Sequence, residues 1–122
     1  MPIEIKPFGR KGTLYYRFSG RIVADDLAIA LQSEEPQFAA LDEDDCVTGI
    51  VDMSELSTIS PALLSQLRTL RLLSDPRVCR VIVVGASPYL RALALSLGSL
   101  GHNGHEFIFR PTLAEALQAM EP

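Results

Sequence analysis

With 122 residues, of which 48% are hydrophobic and 21% charged, the chain has the size and composition of one globular domain and is far from the disordered class. Its net charge of −4 and its 11 scattered Lys and Arg side chains argue against nucleic-acid binding, which requires clustered positive charge. Because the sequence offers neither a signal segment nor an apolar stretch long enough to cross a bilayer, we expect a soluble, cytoplasmic single domain over residues 1–122, with no nucleic-acid and no membrane partner.

The N-terminal part of the chain predicts a β-hairpin and one short helix. Residues 3–5 alternate and residues 13–18 are rich in strand-forming side chains, with a glycine-containing turn between the two runs. Gly20 is expected to end the second strand. The acidic pair at residues 25–26 then begins a helix, because acidic side chains suit the positive end of a helix. That helix is expected to end or kink at residues 34–36, Glu-Glu-Pro.

The middle of the chain predicts an acidic loop, a buried strand and a helix. Residues 42–45 are all acidic and repel one another in any regular element, so a solvated loop is favoured over a calcium site. Residues 46–53 form a buried strand. Ser60 and Pro61 then cap and begin a helix that residues 75–76, Asp-Pro, bring to an end. The apolar stripe of this helix consists of Leu63, Leu64, Leu67 and Leu70.

The last part of the chain predicts two strands that alternate with two helices. Residues 78–84 are a near-continuous β-branched run, which is typical of a parallel strand buried on both faces. Ser87 caps the next helix, which ends near residues 98–101. A strand at residues 106–109 follows, and Thr112 opens the final helix with a capping box.

The resulting order, β-β-α-β-α-β-α-β-α, predicts the α/β fold class. The alternation in the second half of the chain implies right-handed parallel crossovers, and the N-terminal hairpin adds an antiparallel pair. We therefore expect a single mixed β-sheet of about five strands packed with about four helices.

Residues 51–64 carry a resemblance to a known family. Their sequence, Val-Asp-Met-Ser-Glu-Leu-Ser-Thr-Ile-Ser-Pro-Ala-Leu-Leu, is similar to the motif of STAS domains, the family that includes the SpoIIAA-like anti-sigma-factor antagonists. That motif has a strand ending in Asp-Leu-Ser, here Asp52 to Ser54, and then Asp-Ser-Ser-Gly-Leu, from which this chain departs. Ala62 stands in place of the usual phosphoacceptor serine. The resemblance implies the STAS fold and a regulatory binding role without the family's kinase-controlled switch.

Polar candidates for binding lie on both sides of the predicted helix starts. A run of hydroxyl side chains follows the central strand, where a phosphate near a helix N-terminus would be electrostatically favourable; the alternative is a helix cap within a polar loop. This run consists of Ser54, Ser57, Thr58 and Ser60. Gly85 and Ser87 follow the next strand, at the edge where α/β folds usually bind ligands, although a glycine there is mostly a tight turn.

Residues that could support metal binding or catalysis favour structural interpretations. A disulfide between Cys46 and Cys79 is possible, but two buried, reduced thiols are favoured, because disulfides are uncommon in a reducing cytoplasm. His102 and His105 are too few to close a zinc site. No nucleophile motif is present. We therefore expect no catalytic residue, no metal and no cofactor.

Two helices place apolar side chains among polar ones on their outward arcs. At 100° per residue, Leu72 falls beside Arg68 on the first of these helices. On the second, Tyr89 and Leu95 fall opposite the predicted core stripe, which consists of Leu90, Leu93, Ala94, Leu97 and Leu100. If the two helices lie side by side, these residues form an apolar patch of the kind that marks an interface. The partner would be another protein or a second copy of the chain.

The sequence thus favours a non-enzymatic protein-interaction or regulatory module. Its partner-binding surface is predicted to comprise Ser57, Thr58, Ser60, Ala62, Arg68, Leu72, Tyr89 and Leu95. The alternative is a domain of the same fold that binds a small apolar or anionic ligand near Ser54, Gly85 and Ser87. A small enzyme is the least favoured interpretation.

Overall fold

The computed structural model describes residues 2–9, 12–92 and 106–120, and its five strands form one mixed sheet in the order β1-β2-β3-β4-β5. The strands are β1 (Ile3–Pro7), β2 (Thr13–Ile22), β3 (Val47–Ile59), β4 (Val78–Val84) and β5 (Glu106–Arg110). β1 is antiparallel to β2, whereas β2, β3, β4 and β5 run parallel to one another. The predicted hairpin, the parallel crossovers and the α/β class are confirmed.

Helices cover both faces of the sheet. They are α1 (Ala24–Ala39), α2 (Pro61–Gln66), α3 (Arg71–Ser74), α4, of which residues 88–92 are described, and α5 (Leu113–Met120). α1, α2 and α3 pack on one face, in a cluster with Phe18, Val51 and Val81. α5 packs on the opposite face, where Ala116 lies against Ile82. None of the helices in these ranges is long and apolar enough to span a bilayer.

Hydroxyl side chains cap three helices as predicted. Ser60 Oγ accepts a hydrogen bond from the Leu63 amide at 3.1 Å. Ser87 Oγ accepts one from the Leu90 amide at 3.2 Å, and Thr112 Oγ1 accepts one from the Glu115 amide at 3.2 Å. Each cap satisfies an amide that has no partner within its helix, so the starts of α2, α4 and α5 follow from local sequence.

Two elements continue past a residue at which they were predicted to end. Gly20 does not end β2, because glycine tolerates its φ of 66° and the strand continues beside a shift in register to Ile22. Pro36 does not end α1, which continues to Ala39. Arg77 satisfies carbonyls at the end of this helix: its Nη1 donates to the carbonyls of Phe38 and Leu41, at 3.2 and 3.1 Å.

The helix predicted to extend from Pro61 to residue 74 is broken. A 3₁₀ turn at Leu67–Thr69 follows α2, and Leu70 is extended, with φ −61° and ψ 142°, before α3 begins. The break turns Leu72 into the core, where only 3% of it is exposed and a Cβ added to Gly49 would lie 2.1 Å from its Cδ1. The prediction of an outward-facing Leu72 is therefore wrong, because the break changes the helical phase.

A fully buried carboxylate, that of Glu34 in α1, explains the break. It accepts hydrogen bonds from the amides of Arg71 and Leu72, at 2.8 and 3.2 Å, and from the Tyr16 hydroxyl. In a continuous helix these amides would bond to carbonyls one turn earlier, and the carboxylate would lose two of its donors. Burial raises the pKa of the Glu34 carboxyl above its ordinary value of 4.5, although the three donors favour the ionised form.

Cys46 and Cys79 form a disulfide, with their Cα atoms 5.5 Å apart, and both residues are exposed. The prediction of two buried, reduced thiols is therefore wrong. Val47 and Val78 are buried and lie opposite each other in the β3–β4 pair. Because side chains alternate along a strand, the cysteines beside them point away from the core and meet at the amino end of the sheet.

We predict that the free energy of unfolding of the wild type, relative to Glu34→Gln, rises as the pH falls from 7 towards 4.5. The raised pKa of Glu34 means that the folded chain binds more protons than the unfolded chain above 4.5, so protonation favours folding in that window. The gain is about 1.4 kcal/mol for each pKa unit by which the two states differ. Urea unfolding at a series of pH values measures it, and a difference that stays constant would contradict the buried carboxyl.

Candidate functional site

β3 is longer than predicted and extends beyond its neighbour. It pairs with β2 to its last residue, with Ile22 opposite Ile59. It pairs with β4 only as far as Asp52, which lies opposite Val84. Residues 53–59, which we call the β3 extension, therefore run past the end of β4 at the carboxyl edge of the parallel strands. This is the edge at which open α/β sheets usually bind their ligands.

Two clefts flank the β3 extension. The β3–β4 cleft has a volume of about 430 Å³ and is lined by Met53, Ser54, Leu56, Ser57, Thr58, Ile59, Gly85, Ser87, Tyr89 and Leu90. The β2–β3 cleft has a volume of about 810 Å³ and is lined by Arg21, Ile22, Val23, Ala24, Thr58, Ile59, Ser60, Ala62, Leu63 and Gln66. Thr58 and Ile59 line both, so the end of β3 is a shared wall between two concave surfaces.

Gly85 forms the turn that ends β4 beside the β3 extension. Its φ is +70°, and an added Cβ would lie 2.9 Å from Ser54 Oγ and 3.0 Å from Ser54 Cα. Its amide donates to the carbonyl of Arg110 at 3.0 Å, which holds the turn against β5. Both the left-handed backbone and the close approach of β3 require glycine at this position. The turn forms part of the wall of the β3–β4 cleft.

Asp52 fixes the first polar residue of the β3 extension. Its carboxylate accepts hydrogen bonds from the Ser54 amide at 2.9 Å, from the Ser54 hydroxyl, and from the Tyr15 hydroxyl at 2.6 Å. Partial burial disfavours the ionised carboxylate, but the bonds from Ser54 and Tyr15 outweigh it and hold the pKa of Asp52 below its ordinary value of 3.8. Burial, with the hydrogen bond to Asp52, raises the pKa of Tyr15 to about 12.

Most of the residues predicted for binding meet at these clefts. Those assigned to partner binding lie directly beside those assigned to a ligand, because the two groups share the β3–β4 cleft. The predicted residues in this cleft are Ser54, Ser57, Thr58, Gly85, Ser87 and Tyr89. Ser60 and Ala62 line the β2–β3 cleft instead. The predicted partner-binding residues and the predicted ligand-binding residues therefore belong largely to one continuous surface.

Three predicted partner-binding residues do not join this surface. Leu72 is buried, and Arg68 is exposed but lines neither cleft. Leu95 lies outside the described residues, as do His102 and His105. Within residues 2–9, 12–92 and 106–120, no three or more His, Cys, Asp or Glu side chains group as they would around a metal ion.

Sequence reasoning missed the contribution of β2 and the start of α1. Arg21 and Val23 line the β2–β3 cleft, and Val23 is 42% exposed although it is apolar. They reach it because β2 is parallel to β3, so the carboxyl ends of both strands meet at one edge. The sequence did contain a signal for this contribution. A helix follows β2 just as one follows β3 and β4, so the carboxyl end of β2 could have been expected at the same edge.

Comparison with known proteins identifies the fold. The sequence matches no family model, and no curated protein matches it. Among solved structures, the chain is similar to an uncharacterized protein of the DUF3478 family with a SpoIIAA-like fold from Shewanella loihica PV-4. The two are 18% identical, with a TM-score of 0.73 over 98% of this chain and 92% of that chain. The chain therefore has a SpoIIAA-like fold, as the resemblance of residues 51–64 and the element order predicted.

We predict that Gly85→Ala destabilises the protein more than Gly9→Ala. Gly9 has a similar φ, +69°, but nothing lies within 4 Å of an added Cβ, so its substitution costs only the backbone strain of about 1–2 kcal/mol. At Gly85 the contact with Ser54 adds about 1–3 kcal/mol of overpacking. Urea unfolding of both variants measures the difference, and equal losses would show that Ser54 does not press on this turn.

Proposed function

We propose that this chain is a non-enzymatic protein-interaction module that binds its partner through the ridge of residues 57–62. The observation that carries the proposal is the position of this ridge between the two clefts, with Ser57, Thr58, Ser60 and Ala62 exposed. All six residues of the ridge are uncharged, so a partner that covers them does not have to remove a charge from water. An exposed, neutral ridge with a cleft on each side suits the surface of a second protein.

The chemistry of Asp52 and Ser54 supports the non-enzymatic part of the proposal. Ser54 is the hydroxyl of the β3–β4 cleft that is bonded to a carboxylate, the arrangement in which a serine nucleophile would be activated. The pKa of Asp52 is held below 3.8, however, so at neutral pH this carboxylate is a weak base. The pair therefore serves to fix the start of the β3 extension.

The proposal does not include a phosphorylation switch at the family's usual position. Ala62, which stands where STAS domains typically carry the phosphoacceptor serine, lines the β2–β3 cleft and has no hydroxyl. Partner binding would then be governed by the concentrations of the two proteins rather than by a kinase acting at this residue.

A small-ligand-binding domain is the second candidate function. The observation in its favour is the β3–β4 cleft, whose Ser54, Ser57, Thr58 and Ser87 hydroxyls lie beside apolar side chains. Its volume of about 430 Å³ falls in the range of about 300–1,000 Å³ that is usual for small-molecule sites. Native mass spectrometry of the protein purified from its own cells distinguishes this candidate, because a bound small molecule adds a defined mass.

We predict that Ala62→Arg weakens partner capture at least tenfold, whereas Ala28→Arg leaves it unchanged. Both residues are exposed on helices and receive the same side chain, but only Ala62 lines a cleft. A tenfold loss corresponds to about 1.4 kcal/mol of binding energy. Tagged wild type and both variants, confirmed as folded by circular dichroism, are incubated with lysate of the source cells, and captured proteins are quantified by mass spectrometry. Equal capture by the two variants would contradict the proposed surface.

We also propose a cytoplasmic location, which the exposed cysteine pair makes testable. The structure shows the oxidised pair, and a reducing cytoplasm would break so accessible a disulfide, so trapping thiols during lysis should yield Cys46 and Cys79 separately alkylated. Peptide mapping measures the ratio of alkylated to linked cysteines, with protein oxidised in vitro as the control. Recovery of the linked peptide from freshly trapped cells would instead place the chain in an oxidising compartment.

A further inference from the structure

The β3 extension has one long edge that no strand in the described part of the chain occupies. β2 pairs along its first side to Ile59, but on the second side β4 ends at Val84 and Gly85 turns the chain away. At the start of this stretch the Ser54 amide bonds to the side chain of Asp52 rather than to a neighbouring strand. Beyond Ser54, the second side of the extension therefore has no strand partner in the described part of the chain, and its backbone groups border the β3–β4 cleft.

The outer edges of the sheet are different in character. β1 has five residues, with exposed charges at Glu4 and Lys6 and a proline at its end. β5 also has five residues and carries an exposed charge at each end, Glu106 and Arg110. Short strands, charges and proline all discourage pairing with another chain. The charged residue of the β3 extension, Glu55, is instead paired with Arg17 of β2.

We propose that an extended, uncharged segment of a partner protein binds in the β3–β4 cleft as an added strand along the β3 extension. This inference rests on the proposed interaction function and names the partner's chemistry. Residues 53–59 span about 23 Å at about 3.3 Å per residue, which suits a bound strand of about five residues. The shape favours a chain over a small molecule, because an elongated edge of backbone groups is matched by another backbone.

The cleft also sets the side chains that the segment can carry. None of its lining residues is charged, so a charged side chain placed there would lose water without gaining a partner. Hydroxyls such as Ser57 and Ser87 suit small polar side chains, and Met53 and Leu90 suit aliphatic ones. An uncharged segment with alternating small polar and aliphatic residues is the expected occupant.

The test uses peptides selected against the full chain. A display library of random twelve-residue peptides is panned on the wild type, and the recovered peptides are synthesised and their Kd values measured by fluorescence anisotropy. We expect uncharged peptides to be recovered, and we expect Ser57→Trp to weaken their binding at least tenfold. Ser57 is suited to this change because it is exposed and has no partner residue on β2: Leu56 lies opposite Gly20, and Thr58 lies opposite Arg21. A larger side chain there does not replace a paired residue of the sheet. Ser65→Trp, exposed on α2 and outside both clefts, is the matched control and should leave Kd unchanged.

Backbone methylation of the peptide separates strand addition from other binding. Methylating alternate amide nitrogens on the edge that faces β3 removes its hydrogen bonds, whereas methylating the opposite edge leaves them. Loss of two such bonds should weaken binding about tenfold or more, in one of the two methylated peptides only. Equal affinity of both methylated peptides would overturn strand addition, while leaving the interaction function of the ridge supported by sensitivity to Ser57→Trp.

Three other outcomes would overturn the inference. Recovery of no peptide, or of peptides that bind Ser57→Trp as well as wild type, would show that this edge does not accept an extended chain. A wild-type dimer that Ser57→Trp dissociates in sedimentation velocity would identify a second copy of the chain as the occupant. In each case the capture experiment with Ala62→Arg still reports separately on the proposed function.

Discussion

The buried carboxylate of Glu34 is the interaction on which the arrangement of the other elements depends. It joins α1 to β2 through the Tyr16 hydroxyl and to α3 through the amides of Arg71 and Leu72. A carboxylate with no exposure is costly unless all of its partners are in place, so each of the three segments is constrained by the other two. Because α3 must present its first amides to Glu34, the helix is interrupted after α2, and the Leu72 side chain packs against Gly49.

Elements governed by local chemistry could be predicted from the sequence. β4 has the predicted bounds, and the starts of α2, α4 and α5 follow from Ser60, Ser87 and Thr112. The exceptions involve partners distant in sequence. The break before α3 is caused by a glutamate 37 residues away, and α1 passes Pro36 with its last carbonyls bonded to Arg77. Periodicity and proline rules contain no information about such contacts.

The candidate site was predictable in composition but not in shape. Ser54, Ser57, Gly85 and Ser87 were identified because strand ends and helix starts share one edge of a parallel sheet. The length of the β3 extension was not predictable, since it depends on how far β2 accompanies β3 after β4 has turned away. The predicted apolar patch is wrong at Leu72 because the helix is broken before that residue. The direction of a side chain can be counted at 100° per residue only while the helix is continuous.

The position of Glu34 also has a consequence for the order of events in folding. Its partners lie 18, 37 and 38 residues away, so the complete set of hydrogen bonds requires three separate segments to be docked. Closing these loops costs chain entropy that local turns and the β1–β2 hairpin do not incur. We therefore expect the complete set of bonds to form late in folding, so that its contribution falls mainly on the barrier to unfolding. In that order of events, the hydrogen bonds of Glu34 would set the lifetime of the native state rather than the rate of folding.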